Sequence, residues 1–338
     1  MPQIDGGLDS QVSIPQPIDS SLTQRPVDGR QASIRLTNEA RSLREDGQVE
    51  AARNRGERAV EADPANPGAL MELSQIYARM VPPDYVRAAN LAKEATNLEA
   101  NWETWWNCSD IFYIWANTTN REIQAMLRTG QTPPINFIDE RNSTLSNAQI
   151  AVNNAASVLP QGDRDAARKV AVTQGMIAYQ RALTIPEPGA DQDKNEYKNM
   201  VTPLLREAVP LFENAMNAGG APEYRELFQL GIINFRLAGL ERDTGNASQA
   251  ITHYQSSIQY LEQATTASNT PKEGPREAYY MLALSHDQVS ALPGPERGRH
   301  KELALRYWRQ TADFYEPDST YHIYATQRID ALNEEMGL

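Results

Sequence analysis

Small residues at helical spacing constrain the fold of this chain more than any other feature. Within residues 33–66 they are Ala40, Ala52 and Ala59, with Gly47 between the two predicted helices and Pro64 after the second. Small side chains on one face of each helix let the two helices approach closely, and the proline ends the second helix. A single pair cannot bury its apolar face alone, so the pattern predicts a stacked array of helix pairs.

This arrangement resembles the tetratricopeptide repeat, a helix–turn–helix unit of about 34 residues. The family keeps small residues where its two helices touch, a glycine in the turn and a proline after the second helix. In this chain those positions hold Ala40, Ala52 and Ala59, then Gly47 and Pro64. Leu36 stands where the family often has tryptophan, and Glu39 where it usually has leucine, as suits an end unit. The resemblance implies an all-α, right-handed superhelical solenoid.

The repeat register continues over residues 33–318 and is clearest in the first, second and fifth units. The residues that carry it in later first helices are Leu70, Leu73, Ser74, Tyr77, Trp105, Cys108, Ser109, Phe112, Leu227, Leu230, Gly231, Tyr279, Leu282 and Ala283. Period-two runs of β-branched residues are nearly absent, so almost no sheet is expected. We predict about six helix pairs, followed by a C-terminal capping helix within 319–338 that covers the exposed end of the array.

Two segments fall outside the register. Residues 1–32 contain Pro2, Pro15, Pro17 and Pro26 without a helical apolar period, which predicts an extended or disordered N-terminal arm. Residues 117–140 form an insertion between the two helices of the third unit, and we expect an irregular loop at 132–137. Structureless loops of such length are uncommon unless they have a function. The insertion is therefore either functional or a surface embellishment.

Charge and cysteine content exclude several classes of function. The formal net charge of -12 argues against a nucleic-acid binder, because neutralising phosphates requires clustered Lys and Arg. A single cysteine, Cys108, rules out an internal disulfide framework. The sequence has neither a signal-peptide pattern at its start nor the roughly 20 apolar residues of a membrane span. We expect a soluble cytoplasmic protein, or a periplasmic or secreted one if a native leader has been removed.

The resemblance also implies which residues face the concave groove that the first helices line in this family. The aromatic candidates are Trp106, Tyr113, Phe228, Phe235 and Tyr280. The polar candidates are Arg41, Arg44, Gln75, Arg79, Asn107, Asp110, Gln229 and Arg236. Rings in such a groove would anchor a partner peptide, and the polar groups would bind its backbone or carboxylates. A register slip of one residue would instead place the rings in the core.

Sequence motifs for catalysis or metal binding are missing. We find no phosphate loop, nucleophile elbow or metal-ligand pair with the required spacing. No two of the four histidines, His253, His286, His300 and His322, lie three or four residues apart. We expect His286 to be a packed residue and Cys108 to be a buried, inert thiol. The chain is therefore predicted to be no enzyme and to hold neither metal nor cofactor.

These observations predict a protein-interaction scaffold or adaptor that binds a protein or peptide in the concave groove. A second hypothesis is a structural subunit that self-associates or joins a larger complex through the N-terminal arm and the 117–140 insertion. A third is an all-helical enzyme of the toroid type, which would need two buried acids in a deep cleft. The sequence identifies no individual partner.

Overall fold

The computed structural model describes residues 27–189, 193–267, 269–271 and 274–338, and every regular element in these ranges is an α-helix. Thirteen helices occur in the described ranges. They are α1 (Val27–Glu45), α2 (Val49–Ala62), α3 (Pro67–Arg79), α4 (Tyr85–Leu98), α5 (Trp102–Arg128), α6 (Ile135–Ser157), α7 (Arg164–Leu183), α8 (Lys194–Ala218), α9 (Tyr224–Asp243), α10 (Ala247–Thr265), α11 (Arg276–Ala291), α12 (Arg297–Phe314) and α13 (Thr320–Met336). They correspond to six successive pairs and one final helix, as the repeat pattern predicts.

The chain forms two compact units, one ending at Ile111 and one running from Phe112 to Leu338, and the division falls within α5. In unit 1, α1 packs on α2 and α3 packs on α4. Ala40, Ala52 and Ala59 are fully buried at the places where the sequence requires close helix contact. Their burial confirms the predicted reason for the small residues of the first repeat.

Local signals fix the ends of the helices in unit 1. Gly47 adopts φ +76° between α1 and α2, a conformation that glycine reaches without steric cost. The Asn66 side chain accepts hydrogen bonds from the backbone N–H groups of Gly68 and Ala69 at the start of α3, and Pro67 occupies the first turn. The turn and the helix start therefore follow directly from residue type.

Unit 2 contains three closely packed pairs, α7–α8, α9–α10 and α11–α12, and α13 packs against α12. Its largest fully buried side chains include Phe212, Tyr254 and Trp308. The pair formed by α5 and α6 is linked by the Trp115 indole N–H, which donates to Glu140 Oε1 at 2.7 Å. No described helix combines the length and the apolar character that crossing a bilayer requires.

The structure changes two predicted boundaries. Helix α1 begins at Val27, inside the predicted arm, while residues 1–26 of that arm lie outside the described residues. Helix α5 continues to Arg128 because Ala116 and Ile123 keep one of its faces buried, and α6 starts directly after Pro134. The expected irregular loop of the 117–140 insertion is thus limited to residues 129–134, and the remainder is helical.

Candidate functional site

Two arginines of α1 that the sequence predicts to bind a partner both contact one buried carboxylate of α3. Arg44 Nε donates to Glu72 Oε1 at 2.5 Å, and Arg41 Nε donates to Glu72 Oε2 at 3.2 Å. Glu72 is only 4% exposed, and its hydrogen bond raises the pKa of the Arg44 guanidinium. Sequence reasoning missed Glu72 as a member of this cluster, although it lies on a first helix within the repeat register.

The polar cluster of unit 1 continues from α3 to α5. Gln75 Nε2 donates to Asn107 Oδ1 at 2.6 Å and to Asp110 Oδ2 at 3.2 Å. Arg79 Nη2 lies 3.4 Å from the same Asp110 oxygen, and Asn107 Nδ2 donates to Ser74 Oγ. Six predicted partner-binding residues therefore lie on one face of α1, α3 and α5. Arg41 and Arg44 bind Glu72, whereas Gln75, Arg79, Asn107 and Asp110 bind one another. Asn107 is 3% exposed.

Several predicted aromatic anchors are packed within their own unit. Phe228 stacks on Tyr224 with ring centroids 5.4 Å apart. Tyr280 meets the edges of Trp308 and Tyr321, at 5.5 and 5.0 Å between centroids. Tyr113 is buried, whereas Trp106 remains half-buried. Asn107 and Tyr113, which the sequence predicts to contact a partner, are only 3% and 8% exposed.

Phe235 and Arg236 line an open cavity of about 650 Å³ in unit 2. Its wall is formed by side chains of α7, α8, α9 and α11, together with the loop after α7. We call it the apolar cavity. Its main lining residues are Tyr179, Tyr197, Val201, Leu205, Ile232, Phe235, Leu240 and Met281. Phe235 is held by an edge contact with Tyr254 and remains half-buried. Gln229 lies on the same helix as Phe235 but does not line this cavity. Its Oε1 is buried without a hydrogen-bond partner among the described residues.

A second cavity of about 410 Å³ adjoins the first. The second half of α5 supplies Asn117, Asn120, Arg121, Gln124 and Arg128 to its wall. Glu187, Tyr197 and Arg236 line both cavities. We call the second space the basic cavity, and the two together the unit 2 groove. The helical part of the predicted insertion is thus one wall of this groove.

The polar end of the unit 2 groove carries mostly positive charge. Arg236 Nη1 lies 3.9 Å from Glu187 Oε1, and its guanidinium lies 5.8 Å from the centroid of the Tyr179 ring. Burial raises the pKa of the Tyr179 phenol, so this hydroxyl stays neutral near pH 7. Arg121 and Arg128 are exposed and form no ion pair with any residue that the structure describes.

Sequence reasoning found Phe235 and Arg236 but missed the rest of the unit 2 groove. Tyr179, Glu187 and Tyr197 lie outside the first-helix positions that the family pattern assigns to a groove. Arg121 and Arg128 fall in the segment that was expected to interrupt the repeat. The apolar period of α5, which continues through Ala116 and Ile123, is the signal that could have placed these arginines on a helix.

Three of the remaining chemically active candidates, His286, His300 and Cys108, are buried. His286 Nδ1 lies 2.8 Å from His300 Nδ1, and the 2% exposure of His286 confirms that it is a packed residue. Burial raises the pKa of the Cys108 thiol to about 11. Within the part of the chain that the structure describes, no three His, Cys, Asp or Glu residues are grouped to hold a metal ion.

Comparisons with known proteins place this architecture among solved helical-repeat structures. No protein-family model and no curated protein matches the chain. The S. pombe nuclear import adaptor Nro1 matches with a TM-score of 0.52 at 10% identity, over 90% of this chain and 98% of that one. PilF of Pseudomonas aeruginosa matches with a TM-score of 0.51 at 12% identity, over 89% of this chain and 99% of that one.

A chain of the APC/C hetero-tetramer Cut9–Hcn1 matches with a TM-score of 0.52 at 12% identity, over 90% of this chain. The matched region is 44% of that longer chain. Likeness at such low identity concerns the fold, which the buried small residues and successive helix pairs specify independently. The chain has a tetratricopeptide-like fold. In this tetratricopeptide-like array, the predicted polar residues form the cluster of unit 1, and Phe235 and Arg236 line the unit 2 groove.

Proposed function

We propose that this chain is a protein-interaction scaffold and that the unit 2 groove binds a segment of a partner protein. The observation that carries the proposal is the continuity of an apolar cavity with a basic cavity through Glu187, Tyr197 and Arg236. Concave surfaces with half-buried aromatic rings and a few oriented polar groups are typical of peptide binding. Nro1, which is described as an adaptor, shows that a chain of this fold can serve such a role.

Binding explains the groove better than catalysis does. The carboxylates that line it, Glu187 and Asp243, are 76% and 42% exposed, and each lies near an arginine. A toroid-type enzyme needs acids that are desolvated and close to one another. The lining carboxylates are instead solvated and ion-paired, an arrangement that orients a bound segment without activating it.

The structural-subunit hypothesis involves the same surface. It assigns complex assembly to the N-terminal arm and the 117–140 insertion, and residues of the insertion, including Arg121 and Arg128, line the basic cavity. The two hypotheses therefore differ in the permanence of the complex. After purification, a scaffold that binds partners reversibly is expected to have the mass of a single chain by light scattering. A permanent subunit is expected to retain its neighbouring subunits and to have a larger mass.

A substitution at Gly239 tests whether the groove is the binding surface. A Cβ atom at Gly239 would meet no other atom within 4 Å, and Gly239 lines the apolar cavity. A long side chain at this position is therefore expected to extend into the cavity. Gly298 of α12 is equally open and lies outside the groove. Gly239→Gln should abolish capture of the partner from native extract, while Gly298→Gln should capture it as the unmodified chain does.

Mass spectrometry of the captured proteins and circular dichroism of both variants complete this test. We expect proteins that are enriched by the unmodified chain and by Gly298→Gln to be lost with Gly239→Gln, at an unchanged helical signal. Equal capture by the two glutamine variants would show that the partner binds elsewhere, for example on the polar cluster of unit 1.

A further inference from the structure

The charge of the basic cavity is opposite to that of the chain as a whole. The chain carries a formal net charge of -12, yet the cavity is lined by Arg121, Arg128 and Arg236 and by the single acid Glu187. Arg121 and Arg128 have no carboxylate within ion-pair distance among the described residues. Arginines that outnumber the acidic residues in a concave surface produce a local field that attracts anions.

A buried arginine, Arg141, adds positive charge next to the lining of the basic cavity. Arg141 is 6% exposed and donates from Nη1 to Asn120 Oδ1 at 3.1 Å, and Asn120 itself lines the basic cavity. The other side-chain acceptor of Arg141 is the amide oxygen of Asn142, and no carboxylate in the described part of the chain lies within 4 Å of it. A buried cation without a counter-ion stabilises an anion bound nearby.

The neighbouring apolar cavity restricts the kind of anion that fits the whole groove. Ile232, Phe235 and Met281 are half-buried there, so they offer contact area to an apolar side chain. A free inorganic anion would leave this apolar area exposed to water. A nucleic acid would be repelled by the strongly negative net charge of the chain. A peptide that carries both carboxylates and an apolar side chain uses both cavities.

We infer that the occupant of the unit 2 groove is an acidic segment of a partner protein. Side-chain carboxylates of its Asp or Glu residues bind Arg121, Arg128 and Arg236, and a neighbouring apolar side chain enters the apolar cavity. This inference rests on the proposed function and specifies the chemistry of its ligand. Arg236 lies where the two cavities join, so it fixes the register of the bound segment.

Glu187 is the carboxylate that the incoming segment replaces. Its Oε1 lies 3.9 Å from Arg236 Nη1, it lines both cavities, and its side chain is 76% exposed. An exposed ion pair of this length contributes little to stability, so a ligand carboxylate can displace it at small cost. Glu187 therefore competes with the ligand, and Glu187→Gln should raise the affinity for an acidic segment.

Peptide selection tests the ligand chemistry without a known partner. A displayed library of random dodecapeptides is selected for binding to the full chain. Peptides that also bind the Gly239→Gln variant are then removed, which leaves those whose binding depends on the groove. We expect these to combine Asp or Glu with a large apolar residue. Groove-dependent peptides without acidic enrichment would overturn the inference and leave the proposed function standing. Recovery of no groove-dependent peptide would count against both.

Fluorescence anisotropy with a selected, C-terminally amidated peptide then assigns the residues. We expect Arg121→Gln and Arg236→Gln each to weaken binding by about fivefold or more, Glu187→Gln to strengthen it about two- to fivefold, and added salt to weaken it. Arg225→Gln removes an exposed arginine at the start of the same helix as Arg236 and should leave affinity unchanged. Unchanged affinity in both Arg121→Gln and Arg236→Gln would overturn the inference.

Two further measurements separate other sources of negative charge. A version of the peptide with Asn and Gln in place of Asp and Glu should bind at least about tenfold more weakly. If binding instead requires the peptide with a free C-terminus, the groove recognises a terminal carboxylate rather than acidic side chains. Displacement of the peptide by polyuridylate at equal anion concentration would show that the arginines accept phosphates as readily, and it would overturn the assignment to a protein segment.

Discussion

The Nδ1 atoms of His286 and His300 lie 2.8 Å apart between α11 and α12. At this distance one Nδ1–H donates to the other nitrogen, which must be unprotonated. The His286 ring stacks on Tyr307, and burial together with the nearby charges of His300, Arg306 and Arg299 lowers the pKa of His286 to about 3. Burial also lowers the pKa of His300, partly offset by Glu296. The folded chain therefore holds this pair neutral.

Acid should destabilise unit 2 through the histidine pair. Because the pKa of His286 is lower in the folded state than in the unfolded state, its contribution is fully present above about pH 6.5 and is lost as pH falls toward 3. Between pH 7 and pH 5 the unmodified chain should lose about 2 kcal/mol more free energy of unfolding than His286→Asn does. Urea denaturation followed by circular dichroism at both pH values measures this difference.

The control for this prediction is His322→Asn. The His322 ring is half-buried and its Nδ1 donates to the Ala312 carbonyl at 2.9 Å, away from a second histidine. This variant should keep the pH dependence of the unmodified chain. An identical loss of stability between pH 7 and pH 5 in His286→Asn and in the unmodified chain would show that the pair does not couple protonation to unfolding.

Removing Arg168 should destabilise unit 2 more than removing any exposed arginine. Arg168 donates from Nε and Nη2 to the two oxygens of Glu226 at 2.5 Å, and Glu226 is 1% exposed. Arg168→Gln leaves a buried carboxylate without its counter-ion, which costs about 3–5 kcal/mol. Arg181→Gln breaks an exposed pair between α7 and Glu207 of α8 and should cost less than about 1 kcal/mol. Equal midpoints in urea would contradict this prediction.

The sequence predicts the helix pairs because their determinants are local. Ala40, Ala52 and Ala59 lie at spacings that only a close helix pair explains, and Gly47 occupies a turn that requires positive φ. The boundaries near residue 117 were less predictable. The end of α5 depends on the burial of Ile123, a tertiary contact that residue type alone does not reveal.

The unit 2 groove was predicted only in part, for a similar reason. Phe235 and Arg236 followed from the repeat register, but the positive charge of the basic cavity comes from Arg121 and Arg128, which lie over a hundred residues away on another helix. The register also assigned Tyr113 to a surface, although it is buried. A repeat pattern gives the phase of each helix, whereas the side chains that meet across helices depend on packing.

The Cys108 thiol should react slowly with Ellman's reagent in the folded chain. It is 3% exposed, and burial raises its pKa to about 11, so the thiolate is scarce at pH 8. We expect labelling at least about 100-fold slower than for free glutathione at the same pH, and equal to it in concentrated guanidinium chloride. Because Cys108 is the sole cysteine, the signal is unambiguous. Rapid labelling of the folded chain would show that α5 opens readily.

Two glycines of α9 should respond oppositely to alanine. A Cβ atom at Gly231 would lie 2.6 Å from Leu261 Cγ, so Gly231→Ala forces α9 and α10 apart and should lower the free energy of unfolding by about 1–3 kcal/mol. At Gly239 the added methyl meets nothing within 4 Å, and Gly239→Ala should raise it by about 0.5–1 kcal/mol through helix propensity alone. Urea unfolding of both variants checks the signs, and stabilisation by Gly231→Ala would contradict the close α9–α10 contact.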